Sequence, residues 1–202
     1  MFSATEFASA LPYGGARANL FKIIVPTSNI LDVTGHQGTF EKITLNAKAT
    51  TIPPSTIEPV EVPFGGRTFR LPGGRTFDDW GITVTNDEDF IVRDFFEQWN
   101  NAINGHESNL SSISSLASYV QDCEVHQYSK AGSLIRKYVM KQAWPHTIGE
   151  TSLDWAENGT IQEFEVTFAF SWWDTSSTNL EQIITGTPTT AHGTSGVTVF
   201  DI

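Results

Sequence analysis

The sequence predicts a mainly β protein carrying a single long amphipathic helix, and three observations support this. Ile161 to Trp172 alternates without interruption, with Phe164, Val166, Phe168, Phe170 and Trp172 on one face and Ile161, Glu163, Glu165, Thr167, Ala169 and Ser171 on the other. Thr, Val, Ile and Phe are prominent and Gly and Pro recur, in a chain of 202 residues that is 39% apolar and 12% aromatic. A long helical period occurs once: Val92, Phe95, Phe96, Trp99 and Ile103 recur at spacings of three and four.

In chain order, residues 1 to 18 read as an irregular arm ending in Pro12, Gly14 and Gly15. Leu20 to Val25 is a short strand closed by Pro26, and Thr27 to Gly38 is a polar loop. Phe40 to Ala49 mixes apolar and polar residues as a second strand would, before the break at Pro53 and Pro54. In IEPVEVPFGGRTFRLPGGRTF (57 to 77) the five residues GGRTF occur twice, eight positions apart. Gly65-Gly66 and Gly73-Gly74 are turn signals, and Val60 to Phe64 pairs with Arg67 to Leu71 in a β-hairpin bearing Arg67, Arg70 and Arg75. A phosphate-cradling loop is the sharper reading of glycine beside arginine, but the G-x-x-x-x-G-K-[ST] pattern is missing and a plain turn is favoured.

Trp80, Ile82 and Val84 form a strand with one buried face, stopped by Asn86. Asn86 is expected to cap a helix over about 87 to 104, with Asp87, Glu88 and Asp89 at the positive end of its dipole and Gly105 as its stop. His106 to Ser118 is a loop. Val120 to Tyr128 and Leu134 to Met140 are strands joined by a turn at Ser129 to Ser133, with Cys123 and Val125 opposite Asp122, Glu124 and His126, and Trp144-Pro145 ends the pair. Residues 1 to 174 read as a single domain and 175 to 202 as a Thr/Ser/Gly-rich extension in which Val197 to Phe200 adds a last edge strand.

Charge and composition exclude several functions. A net charge of -11 argues against tight nucleic-acid binding, which needs Lys and Arg to neutralise phosphates. Residues 1 to 75 carry +2 and residues 76 to 202 carry -13, an asymmetry that suits head-to-tail self-association, although a solvated acidic surface accounts for it equally well. Cys123 is the only cysteine, so no intramolecular disulfide forms. The first residues have neither a basic start nor a sustained apolar run, which argues against a secretory signal, and no apolar run reaches the length of a membrane span.

Chemistry is equally sparse. Asp78 and Asp79 are adjacent and cannot share a proton across one strand face, and two carboxylates such as Glu163 and Glu165 on a polar face are ordinarily wet surface. The five histidines lack metal-ligand spacing, and there is no G-x-S-x-G. The residues therefore predict no enzyme, no metal and no cofactor. Trp80, Trp99 and Trp172 fall on core faces, leaving Trp144, Trp155 and Trp173 as the platform that a carbohydrate-binding β-sandwich would need.

Several linked motifs carry a family resemblance over about residues 16 to 173: ARANLFKI (16 to 23), GRTFDDWGITVTNDED (74 to 89), the helix with Phe95 and Trp99, AWPHTIGETSLDW (143 to 155) and IQEFEVTFAFSWW (161 to 173). In order and spacing they resemble the tail tube proteins of contractile-tailed, T4-like bacteriophages. The resemblance implies a β-sandwich or barrel-like fold with one flanking helix and an extended hairpin. It also implies hexameric rings of this chain, stacked head-to-tail into a hollow tube inside a contractile sheath, located in the virion tail and assembled in the host cytoplasm. The implied partners are further copies of itself, the sheath protein, a tape measure protein inside the tube, a baseplate or tube initiator, a tail terminator, and viral DNA that passes without specific binding. Tube rings of related contractile injection or type VI secretion systems would share the fold. Within this frame Arg67, Arg70 and Arg75 are candidate ring-stacking residues, and Asp122, Glu124, Glu163 and Glu165 candidate lumen-facing residues.

Overall fold

The computed structural model describes residues 3–10, 15–26, 39–111 and 116–177. The expected loop at Thr27 to Gly38 and the expected strand at Val197 to Phe200 lie outside them. Seven strands join into one sheet in the order β1 (Phe21–Ile24), β6 (Gln121–Tyr128), β7 (Leu134–Ile148), β8 (Glu163–Ala169), β5 (Trp80–Thr85), β2 (Ala47–Thr50), with β9 (Trp172–Ser177) also paired to β7. β7 makes this sheet fold over on itself. Its first half lies between β6 and β9, and its second half pairs with β8. The turning point is Gln142, whose φ of 57° lies in the left-handed region, and the Asp122 carboxylate accepts its amide hydrogen at 3.1 Å.

The two halves share one core. Ile23, Cys123, Val125 and Met140 come from one side, Trp80, Ile82, Val84, Phe164, Val166 and Phe168 from the other, all buried. Helix α3 (Ile91–Ile103) closes it, inserting Val92, Phe95, Phe96 and Trp99, each at roughly 1.5 to 3 kcal/mol of burial. Phe96 and Trp99 both meet the Phe168 ring edge-on, at 5.9 and 6.1 Å. The two fully buried indoles are satisfied, Trp80 Nε1 donating to Thr50 Oγ1 and Trp99 Nε1 to the Tyr119 carbonyl. A mainly β fold with a flanking helix and a hairpin is thus what the residues build.

Several local expectations are corrected. The arm at residues 1 to 18 contains a short helix, α1 (Ala4–Ala10), begun by reciprocal hydrogen bonds between Ser3 and Glu6. Phe40 to Ala49 is not one strand but helix α2 (Thr39–Asn46) followed by β2. Tertiary contacts decide this: Ile43 is buried, Thr44 Oγ1 donates to the Ile23 carbonyl, and Lys42 bridges Asp87 and Asp89. Asn86 does not cap α3, because its amide and side chain both pair with Gln162. The helix starts four residues later than a cap at Asn86 requires, at left-handed Phe90, and Asp89 Oδ1 accepts the Ile91 amide hydrogen. Asn104, in extended conformation, ends the helix in place of Gly105.

Trp144-Pro145 ends the pairing with β6, whose last partner is Ala143, but not the strand: both residues lie within β7 and pair with Ala169 and Phe168 of β8. Ile161 to Trp172 is not one strand either. The chain leaves β8 after Ala169, and the Ser171 amide bonds the Lys141 carbonyl as the chain crosses to the other half. The break shifts the alternation, so Trp172 turns outward and Trp173 packs against Phe77 and Tyr138.

Candidate assembly surfaces

A separate two-stranded ribbon, β3 (Ser55–Phe64) and β4 (Arg67–Phe77), projects from the body. Its turn is Gly65-Gly66 with φ of 59° and 78°, the paired positive angles that a tight hairpin demands and that side chains with a Cβ resist. Gly73-Gly74, expected as a second turn, lies inside β4. There a bulge in β4 sets both Gly73 and Gly74 opposite the single residue Glu58, and a Cβ on Gly73 would approach the Glu58 carbonyl oxygen to 2.6 Å.

Strand parity sorts the side chains. The pairs Val60–Leu71, Val62–Phe69 and Phe64–Arg67 share one face, so apolar groups fill it and Arg67 stands at its tip, whereas Ile57–Arg75, an odd number of residues before Val60 and beyond the bulge, lies on the other face. The six apolar side chains are 40% to 74% exposed. Arg70 lies on the opposite face, its Nε 3.1 Å from Glu61 Oε1. The three predicted arginines therefore divide. Arg67 ends the apolar stripe and has no ion-pair partner among the described residues, whereas Arg75 shares the face of Arg70 and donates to Ser55 Oγ. The even, eight-residue period of GGRTF would return both copies to one face, but the bulge between them turns the second over: Phe69 stays on the exposed stripe and Phe77 packs at the base against Phe170 and Trp173.

The four predicted acidic residues also divide. Asp122 and Glu124 lie on the outer face of β6, compensated by cations: Asp122 by Lys141 at 2.6 Å, Glu124 by Lys137 at 2.7 Å and His126 at 2.8 Å. Partial burial pushes both carboxyls up, but these hydrogen bonds outweigh it and hold them below the usual carboxylate range. Glu163 and Glu165 lie on the outer face of β8, across from Thr85 and Thr83 of β5. Glu163 pairs with Lys48, whereas Glu165 lies over Gly81 without an ion-pair partner among the described residues.

A third surface was missed. The connection from β7 to β8 (149 to 162) carries Leu153, Trp155 and Ile161, 79%, 102% and 65% exposed. It also holds Glu150, Asp154 and Glu157 and no Lys or Arg. Its polar, Gly-containing sequence reads as an ordinary loop, and nothing periodic marks the apolar side chains. Trp144 and Trp173 pack against the core, so the three-tryptophan platform of a carbohydrate-binding surface is not formed. Among the described residues no cluster of His, Cys, Asp and Glu is placed to hold a metal. Cys123 is buried, and burial pushes its thiol up, which keeps it neutral.

Comparison with known proteins bears on these surfaces. The family model described as phage tail tube protein matches residues 16–176. Tail tube protein gp19 of Enterobacteria phage T4 is 34% identical over 160 residues, spanning 79% of this chain and 91% of that one. The tail tube protein of Serratia phage KSP90 is 25% identical over 166 residues, 81% and 92% of the two chains. In fold, the chain is similar to a chain of the sheath-tube complex of an extracellular contractile injection system, PVC, in its extended state. The TM-score is 0.55 at 16% identity, covering 88% of this chain and 99% of that one.

Proposed function

We propose, from the premise that this chain belongs to the phage tail tube protein family, that it is the ring subunit of a T4-like contractile tail. Six copies close a ring, rings stack head-to-tail into a hollow tube, and a sheath surrounds it. A tape measure protein occupies the lumen during assembly, a baseplate or initiator starts the tube and a terminator ends it. Viral DNA then passes along the lumen into the host. Assembly takes place in the host cytoplasm and the product resides in the virion.

The observation that carries this reading is the state of the strand edges. Among the described residues β1 and β2 end the sheet order and β9 pairs only with β7, so each leaves an edge open to pairing with another chain. In a monomer such edges invite aggregation; neighbours in a ring satisfy them. Electron microscopy of the purified protein over a range of concentration and salt tests the reading. Hollow tubes of stacked six-fold rings are expected, and a strict monomer even with a tube-initiating complex present overturns it.

The outer face of β8 is assigned to the lumen. Glu165 supplies its uncompensated charge and Glu163 a carboxylate paired with Lys48, whereas Asp122 and Glu124, on the outer face of the opposite half, are left out of the assignment. A wall without net positive charge lets phosphates slide rather than stick. Glu163→Lys with Glu165→Lys is expected to leave tubes intact while impairing DNA delivery, and unchanged infectivity removes the assignment. Arg67 and Arg75 are assigned to ring stacking, with Arg70 bracing the hairpin through Glu61.

A further inference from the structure

The two Asn-Gly steps of the chain, Asn104-Gly105 and Asn158-Gly159, meet opposite surroundings. At such a step a backbone amide nitrogen can attack the side chain before it, because glycine brings no Cβ to crowd the approach. Both asparagines are exposed, so access to water does not separate them. The attacking nitrogen does. Gly105 donates its amide hydrogen to the Leu110 carbonyl at 3.0 Å and accepts from the Asn109 amide at 2.9 Å, which closes a small loop. That loop is tight: a Cβ on Gly105 would stand 2.7 Å from Ser108 Oγ and 3.2 Å from the Leu110 oxygen. Gly159, in the β7–β8 connection, is exposed, and a Cβ there would meet nothing within 4 Å. Neither its amide nor the Asn158 side chain has a hydrogen-bond partner among the described residues. The turn just before is pinned, the Ala156 amide donating to Asp154 Oδ1 at 2.9 Å and the Asn158 amide to the Ala156 carbonyl at 3.1 Å.

We infer that Asn158 is a site of spontaneous deamidation and that the fold protects Asn104 from the same reaction. The Gly159 amide nitrogen gives up its proton to water or hydroxide and attacks Asn158 Cγ. The new N–Cγ bond closes a cyclic imide as the Cγ–Nδ2 bond breaks, and Nδ2 takes up a proton and leaves as ammonia. Water then adds to a ring carbonyl. Opening at Cγ gives aspartate; opening at the backbone carbonyl gives isoaspartate, whose main chain runs through the side-chain carbons. One water is consumed and one ammonia released, with no change of oxidation state. At Gly105 the same attack first has to break the bond to Leu110 and displace Ser108. The product alters a surface already rich in carboxylates: the connection holds Glu150, Asp154 and Glu157 and no Lys or Arg, so the new charge is uncompensated there, beside exposed Leu153, Trp155 and Ile161. Burying those side chains against any other surface then also requires desolvating that charge. The inference does not depend on the stacked-ring reading.

Peptide mapping by mass spectrometry of the full chain, incubated at mildly alkaline pH, tests this. In the folded protein Asn158 is expected to convert about tenfold faster than Asn104, the factor supplied by one net hydrogen bond held against the attack. In urea the difference is expected to vanish, because the unfolded chain holds neither glycine amide. Equal rates in the folded chain, or a faster Asn104, overturn the inference. A tenfold difference that persists in urea overturns it as well, since neighbouring residues rather than the fold would then be the cause. The products give a second readout. Isoaspartate is expected at position 158 alongside aspartate, the two separating as peptides of equal mass, and aspartate alone overturns the imide route.

Discussion

The hairpin β3–β4 and the strand pair β5–β8 use the same vocabulary, alternating β-branched and aromatic residues with polar ones, and reach opposite ends. Trp80, Ile82, Val84, Phe164, Val166 and Phe168 are 0% to 2% exposed, whereas the hairpin's six apolar side chains are 40% to 74% exposed. Alternation shows that a strand has one apolar face; it does not say whether the cover for that face lies in the same chain. β5–β8 finds its cover in α3. Among the described residues the hairpin pairs only with itself, and its second face carries Glu61, Thr68, Arg70 and Arg75. Folding of the body therefore does not depend on the ribbon, and the ribbon's apolar area remains available for association.

The comparison breaks hardest at its buried side. Phe168→Ala removes a ring in contact with Trp80, Phe96 and Trp99, and is expected to cost about 3 to 5 kcal/mol in urea unfolding of the monomer. A loss under 1 kcal/mol would show that the core closes around the gap. Gly73→Val comes next. Its Cβ meets the Glu58 carbonyl, so an overpacking cost of about 1 to 3 kcal/mol is expected, confined to the ribbon. Hydrogen exchange is expected to quicken over residues 55 to 77 and nowhere else.

Val62→Ser with Phe69→Ser sharpens the contrast from the exposed side. Monomer stability is expected to change by no more than about 0.5 kcal/mol while sedimentation shows assembly lost. A monomer loss as large as that of Phe168→Ala would place the hairpin in the folding core. The smallest effect is electrostatic. Asp122 and Glu124 titrate lower in the folded chain than in the unfolded one, so their stabilisation is complete above the unfolded values near 4 and is lost as pH falls through the folded ones. Each pair is worth about 0 to 1 kcal/mol. Urea midpoints measured from pH 6 to 2.5 are expected to fall less steeply for Asp122→Asn than for the natural chain.

Much of this was legible from periodicity. The buried faces of β5, α3, β6 and β8 follow directly from spacings of two, three and four, and the tight turn at Gly65-Gly66 from paired glycines. Periodicity failed where a single long-range contact outweighed local preference. Lys42 with Asp87 and Asp89 helps hold 39 to 46 as a helix, and Gln162 takes Asn86 away from the cap. The candidate surfaces were half legible. The repeat drew attention to the arginines, but the division of Arg67 from Arg70 and Arg75, and the compensation of Asp122 by Lys141, needed the pairing register.

What the sequence determined by itself was the set of amphipathic faces, because a side chain's direction along a strand or helix is fixed by backbone geometry within a few residues. Which faces became core, which strand was cut in two at Ser171, and which apolar groups stayed in water were decided only by the tertiary structure. The physical reason is that burial depends on contacts between residues far apart in the chain: Phe168 is covered by Trp99, 69 positions away, and none of the described residues covers the hairpin stripe.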